Sequence, residues 1–195
     1  MLDFFGTPEN FFPAKEVKNP DFSSFVAFDI ETTGLERDSK IIEIGAVKVI
    51  NGRITDSFQE FVNPGIILPY EITQITGITD EMLSSADRIT QVLPRFKKFA
   101  GNNILVGHNA IQFDCNVMGH WANEHEILID NDIFDTLRFM RYRCEPFPGL
   151  TSNRLCVACD YFGITSEVFH RADADAKVTA KLYLALQKNG KIKKK

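Results

Sequence analysis

Phe25-Val26-Ala27-Phe28-Asp29-Ile30-Glu31-Thr32-Thr33-Gly34-Leu35 begins as a buried strand and ends in charge. Phe25 to Phe28 form a continuous apolar run with aromatic and β-branched members, the pattern of a strand covered on both faces. Asp29 and Glu31 arrive while the pattern is still strand-like. With a side-chain period of two, both must point to the same face. A carboxylate leaving water costs on the order of several kcal/mol unless it is paired or holds a metal, and a like charge beside it adds to that cost. A divalent cation relieves both penalties. On its own, the segment leaves open a strand that stops at Phe28, followed by a solvated turn through Thr32, Thr33 and Gly34.

Outward from this stretch, the 195 residues suffice for one domain with a full core. An apolar content of 44% and a charged content of 25% exclude a disordered chain. No apolar run approaches the ~18 residues of a membrane span, and no basic stretch followed by an apolar one opens the chain, so a cytoplasmic protein with no membrane partner is expected. Cys156 and Cys159 form a C-x-x-C inside a helix-like apolar stretch with no second pair at zinc-finger spacing, so all four cysteines are expected as buried free thiols. The net charge is −4, and without the lysines of the 188–195 tail the remainder is more acidic still. That balance opposes static DNA binding through phosphates, but not an enzyme whose metal ions meet the phosphate.

Residues 1–24 form a Phe/Pro-rich arm, interrupted by Pro8, Pro13 and Pro20, that is expected to drape its aromatics over the surface of a domain spanning 25–187. Residues 1–5 loosely resemble the short motif by which replication proteins bind a sliding clamp, although the leading glutamine is missing. Asn51-Gly52 between two β-rich runs, 41–50 and 54–62, predicts a hairpin and an antiparallel start to the sheet. Glu43 is expected on the less buried side of that hairpin. Residues 64–79 read as a loop ending in Thr79, an N-cap for a short segment over 80–83, and a helix follows with Pro94 kinking it or delaying its start. Residues 104–108 and 132–134 read as short strands. Arg138, Arg141 and Arg143 are either a solvated face or a hold on substrate phosphates. In the last helix, about 173–187, Asp175 falls on the apolar stripe of Val178 and Leu182 and so points into the core or a cleft. His170 converges with Asp175 only from the loop before that helix, with Asp173 available as its cap.

Taken together, D-x-E-T-T-G at Asp29 and Glu31, H-N-A-x-x-F-D ending at Asp114, and H-x-A-x-x-D from His170 to Asp175 resemble the DnaQ-like exonucleases of the DEDDh group. The resemblance covers about 24–186. It implies an α/β, RNase H-like fold with a mixed five-stranded sheet and helices on both faces. It also implies 3′ to 5′ hydrolysis of nucleic-acid ends to nucleoside 5′-monophosphates, as in proofreading exonucleases that work with a DNA polymerase. Two Mg²⁺ or Mn²⁺ ions would be held by Asp29, Glu31, Asp114 and Asp175, with His170 as general base. Hard oxygen ligands suit those ions over zinc, and an imidazole is the side chain suited to take a proton near neutral pH. The resemblance further places Thr33, Thr76, Ile78, His108, Asn109 and Phe113 against the terminal nucleotides. An RNA exonuclease of the oligoribonuclease or RNase T kind shares these motifs, because telling the sugars apart depends on contacts to the 2′-hydroxyl. A non-catalytic binding module would normally lack one of the carboxylates, and none is missing.

Overall fold

The computed structural model describes residues 12–13, 15–165 and 170–193. The clamp-motif stretch at residues 1–5 lies outside the described residues.

Strand β1 (Phe25–Thr32) does not stop at Phe28 but carries Asp29 and Glu31 within it. It pairs antiparallel with β2 (Ile41–Ile50), which turns at Asn51 and Gly52, both at positive φ, into β3 (Arg53–Phe61). An Asn-Gly pair tolerates that left-handed turn, whose twist matches the flanking strands. On its other side β1 pairs parallel with β4 (Leu105–Gly107), and β4 pairs parallel with β5 (Ile133–Asp135). The order β3-β2-β1-β4-β5 is the mixed five-stranded sheet that the resemblance implies.

Alternation along β1 divides the core. Val26, Phe28 and Ile30 pack with Phe96 of α3 (Ile89–Ala100) and with Val117 and Met118 of α4 (Asp114–Glu124). Phe25 and Ala27 pack on the other face with Val178, Leu182 and Tyr183 of α7 (Ala172–Asn189). Asp29 and Glu31 continue that second face at its polar end.

Several expectations need correction. The 64–79 segment contains α1 (Tyr70–Thr76), closed by Gly77 at positive φ, before Thr79 accepts from Met82 N and caps α2 (Asp80–Ser84). Helix α3 starts at Ile89 and holds Pro94 inside it. Cys156, on α6 (Leu155–Tyr161), is exposed, whereas the other three thiols are buried. The arm is not merely superficial. Phe12 is 1% exposed within the α3/α4 core, and Phe22 stacks on Tyr183 at 4.8 Å. Val17 N donates to Ile133 O, and Ile133 N donates to Lys15 O. β5 is an edge strand with open amides and carbonyls, and the arm satisfies them. Among the described residues, no helix is long and apolar enough to cross a membrane.

Candidate active site

Asp29 is paired in register with Gly45 on β2, so the two positions share one face of the sheet. A Cβ at Gly45 would collide with the Ala172 backbone. The missing side chain therefore lets the first turn of α7 settle on the strands beside Asp29 and Glu31. Asp175, in that first turn, reaches them there: one carboxylate oxygen from each of Asp29, Glu31 and Asp175 lies within 4.8 Å of the others.

Asp114 enters from the next strand's connection. β4 ends at Gly107, so the Ile30 amide of β1 finds no strand partner, and Asp114 Oδ1 accepts it at 3.2 Å. This bond pins the first residue of α4 to β1. Asp114 is not one of the three mutually close oxygens, but its charge is felt at Asp29.

The electrostatics are those of an uncompensated acidic cluster. Burial raises Asp29 well above the usual carboxylate range, and the charges of Asp114, Glu31, Asp175 and Glu43 raise it further. Burial, then Asp175, pushes Glu31 up to about 8. Burial likewise raises Asp114 to about 7 and lifts Asp175. Asp175 Oδ2 accepts the His170 amide at 3.0 Å, while its buried Oδ1 has no partner. Three converging carboxylates, one with an orphaned oxygen, match the donor set of a hard divalent cation.

His170 lies on the loop before α7 with a positive φ of 63°, and it is exposed. The cap of α7 is not Asp173. Glu43 reaches over from β2 and its Oε2 accepts Ala172 N at 3.1 Å. Glu43 also corrects the expectation that it faces the less buried side: it is 0% exposed and lies opposite Glu31 in register. Arg171 approaches it with two nitrogens, at 2.8 and 3.2 Å, and Gln59 donates at 2.6 Å. A carboxylate with that many donors has little left for a metal, so Glu43 positions α7 instead.

The other residues drawn from the resemblance have diverse settings. Thr33 Oγ1 accepts Lys40 N at 3.0 Å and closes the loop after β1. Thr76 is buried, donating to Ile72 O and accepting Ile78 N. Ile78 is 0% exposed and packs with Ile42, Leu68 and Leu83. It offers no surface to a nucleotide in this conformation, which corrects its expected role to a core one. His108 Nδ1 lies 2.8 Å from Thr136 Oγ1, and burial lowers the imidazole to about 4, so it is neutral at neutral pH. Asn109 takes a positive φ of 66°, and Phe113 packs partly buried against the α3/α4 core.

Sequence reasoning missed Asp135. Its Oδ1 accepts Asn109 N at 3.2 Å and Arg138 N at 3.0 Å, while Oδ2 accepts Ile111 N at 3.1 Å. It thus clamps the loop that delivers Asp114. The available signal was an acid at the exit of an apolar strand, as at Asp29. Arg171, adjacent to His170, was missed because its partner Glu43 is remote in sequence.

Comparison with known proteins gives this geometry a context. Residues 26–183 match the family model RNase T, described as exonuclease. The chain is 42% identical over 159 residues to the DNA polymerase III of PolC type from Clostridium perfringens, covering 81% of this chain and 11% of that protein. Its counterpart in Listeria welshimeri is 40% identical over 174 residues, covering 87% and 12%. The chain therefore spans roughly a tenth of the length of these relatives. Among solved structures, exonuclease X in complex with 5′ overhanging duplex DNA aligns at TM-score 0.65 and 24% identity, over 85% of this chain and 92% of that one. E. coli exonuclease I in complex with a dT13 oligonucleotide aligns at 0.71 and 19%, over 85% and 41%. These two likenesses support the fold. The family match over most of its length, with relatives 40–42% identical, establishes that the chain belongs to the DnaQ-like 3′ to 5′ exonuclease family.

Proposed function

We propose that the chain hydrolyses DNA from the 3′ end, releasing nucleoside 5′-monophosphates with Mg²⁺ or Mn²⁺, and that it serves proofreading or repair. The observation that carries this reading is the convergence of Asp29, Glu31 and Asp175 within 4.8 Å, the first two half-buried and Asp175 buried with an orphaned oxygen. Mg²⁺ or Mn²⁺ would supply Lewis acidity for an in-line displacement at the phosphate. Asp29, Glu31 and Asp175 would hold the cation, and Asp114, anchored on Ile30, adds charge beside Asp29. His170, exposed at the rim and joined to Asp175 through its own amide, takes the proton of the attacking water. Phe113, partly buried at the entrance to α4, supports the terminal base. A DNA polymerase is the proposed working partner, because the similar PolC-type relatives carry that name.

A paired end must be unpaired and unstacked before it enters a cleft, at a cost of a few kcal/mol that is smaller for a mismatch. With ~1.4 kcal/mol per factor of ten, single strands and mismatched 3′ ends should be cut at least ~10-fold faster than paired ends. The test follows 5′-labelled single-stranded, matched and mismatched DNA, and matched RNA, with Mg²⁺, Mn²⁺ or EDTA. Full activity in EDTA would sink the metal-dependent reading. Preference for the RNA strand would move the chain to the RNA-exonuclease class. Equal rates on matched and mismatched ends would count against proofreading.

A further inference from the structure

Arg143 and Lys193 oppose each other where the last residues of the described chain return to the domain. Their segments meet in an antiparallel bridge between Cys144 and Ile192. Lys193 N donates to Arg143 O at 2.8 Å, and Glu145 N donates to Lys191 O at 2.7 Å. Cys144 is buried, whereas Arg143 beside it stays partly exposed. Like charges directly opposite one another destabilise a strand pair. The crowding goes further, because Lys193 Nζ donates to Arg141 O at 3.1 Å. Among the described residues, no carboxylate forms an ion pair with Arg141, Arg143, Lys191 or Lys193, the adjacent Glu145 included. A chain of net charge −4 thus gathers unneutralised cations on one strip.

The strip begins on the segment that follows β5, two strands from β1 and its carboxylates. Arg141 and Arg143 belong to a π-helical turn (Phe139–Arg143) that follows β5 and the short α5 (Thr136–Arg138). Such turns often accompany functional sites. The Arg141 charge is felt at the His108 imidazole. His108 follows β4, the strand that pairs with β1 and so lies next to the one carrying Asp29. Tyr142, 63% exposed, stands between the two arginines. Cations flanking an exposed aromatic are what a single strand needs: phosphate contacts along the backbone and a face for a base.

We propose that Arg141, Arg143 and Lys193 form a track for the phosphate backbone of the strand whose 3′ end occupies the carboxylate site, with Tyr142 stacking a base. The proposal rests on the exonuclease reading and adds the path of the single strand upstream of the cut. Guanidinium forks hold phosphate oxygens in pairs, and the lysine adds a point charge. Binding of this kind is independent of sequence and weakens with salt.

The test compares the parent chain with Arg143→Gln/Lys193→Gln. Fluorescence anisotropy measures affinity for a labelled single-stranded oligonucleotide in EDTA. Turnover is followed with Mn²⁺ on that oligonucleotide and on the p-nitrophenyl ester of thymidine 5′-monophosphate, which has no upstream backbone. The double variant should raise Kd and KM for the oligonucleotide by ~10-fold or more, leaving kcat and the ester reaction nearly unchanged. Its log affinity should also fall less steeply with log salt, by about 1.4 for two lost contacts at ~0.7 each. Unchanged affinity and salt slope would overturn the track. So would an equal loss in the charge-conserving Arg143→Lys/Lys193→Arg, since the effect would then be structural. Competition by polyglutamate as effective as by DNA of matched charge would reassign the strip to an acidic protein and also overturn it. If the parent chain cleaves neither substrate, the exonuclease reading fails separately, and the anisotropy comparison still decides whether the strip binds a single strand.

Discussion

Burial raises the Asp29 carboxyl well above its ordinary range, and four other acids raise it further. Asp29→Asn should lower hydrolysis at least ~10³-fold by removing a cation ligand. It should also raise the melting temperature of the metal-free protein by about 2 °C or more, since ~1 kcal/mol moves a domain of this size by that much. A metal-free variant that melts below the parent would contradict the picture of an uncompensated acid. His170→Ala should cost ~10² to 10⁴ in turnover, the range for a positioned general base, with metal affinity little changed. An unchanged rate would leave His170 as a surface residue. Glu43 acts through its partners. Truncation to alanine strips the partly exposed Arg171 of its acid and α7 of its cap, and losing hydrogen bonds to a charged group in this way costs ~1.5–3 kcal/mol. Denaturant melts of Glu43→Ala should show a loss of that order.

At the scale of elements, the site depends on two close approaches that no local pattern announces. Helix α7 can bring Asp175 to β1 only because position 45 on β2 has no side chain. Gly45→Ala should therefore push the first turn of α7 outward, lowering both stability and apparent metal affinity, the latter measured by Mn²⁺ titration. Normal affinity in that variant would show that the helix reaches the acids by another route. Helix α4 is held by Asp114 on the Ile30 amide and by Asp135 on the loop before it. In both cases a short strand leaves backbone groups without a ladder, and a buried carboxylate takes them up.

For the whole molecule, the raised carboxylates set how stability varies with pH. Glu31 moves from an ordinary 4.5 to about 8 in the fold, and Asp114 from 3.8 to about 7. Below the ordinary values both states hold these protons and the stabilisation is complete. As pH climbs toward 7 and 8 the unfolded chain has released them while the fold keeps them, so stability is lost across that window. The melting temperature of the metal-free parent, taken relative to Glu31→Gln, should fall from pH 4.5 to 8 and recover with Mg²⁺ at the upper end. A difference that is flat with pH would refute the shift. The sequence alone determined the antiparallel hairpin and the inward face of Asp175, because periods of two and 3.6 and an Asn-Gly turn are local properties, whereas the segment itself left open whether the first strand runs on through Asp29 and Glu31. The order of the three motifs and their family resemblance were equally legible there. Only the tertiary structure decided that Glu43 is buried under Arg171, that Phe12 belongs to the core, that Ile78 is covered and that Asp135 clamps the Asp114 loop. Each of these depends on contacts between residues far apart along the chain. Whether a charge or an aromatic ring is buried is set by which distant partner arrives to satisfy it, and no window of neighbouring residues encodes that.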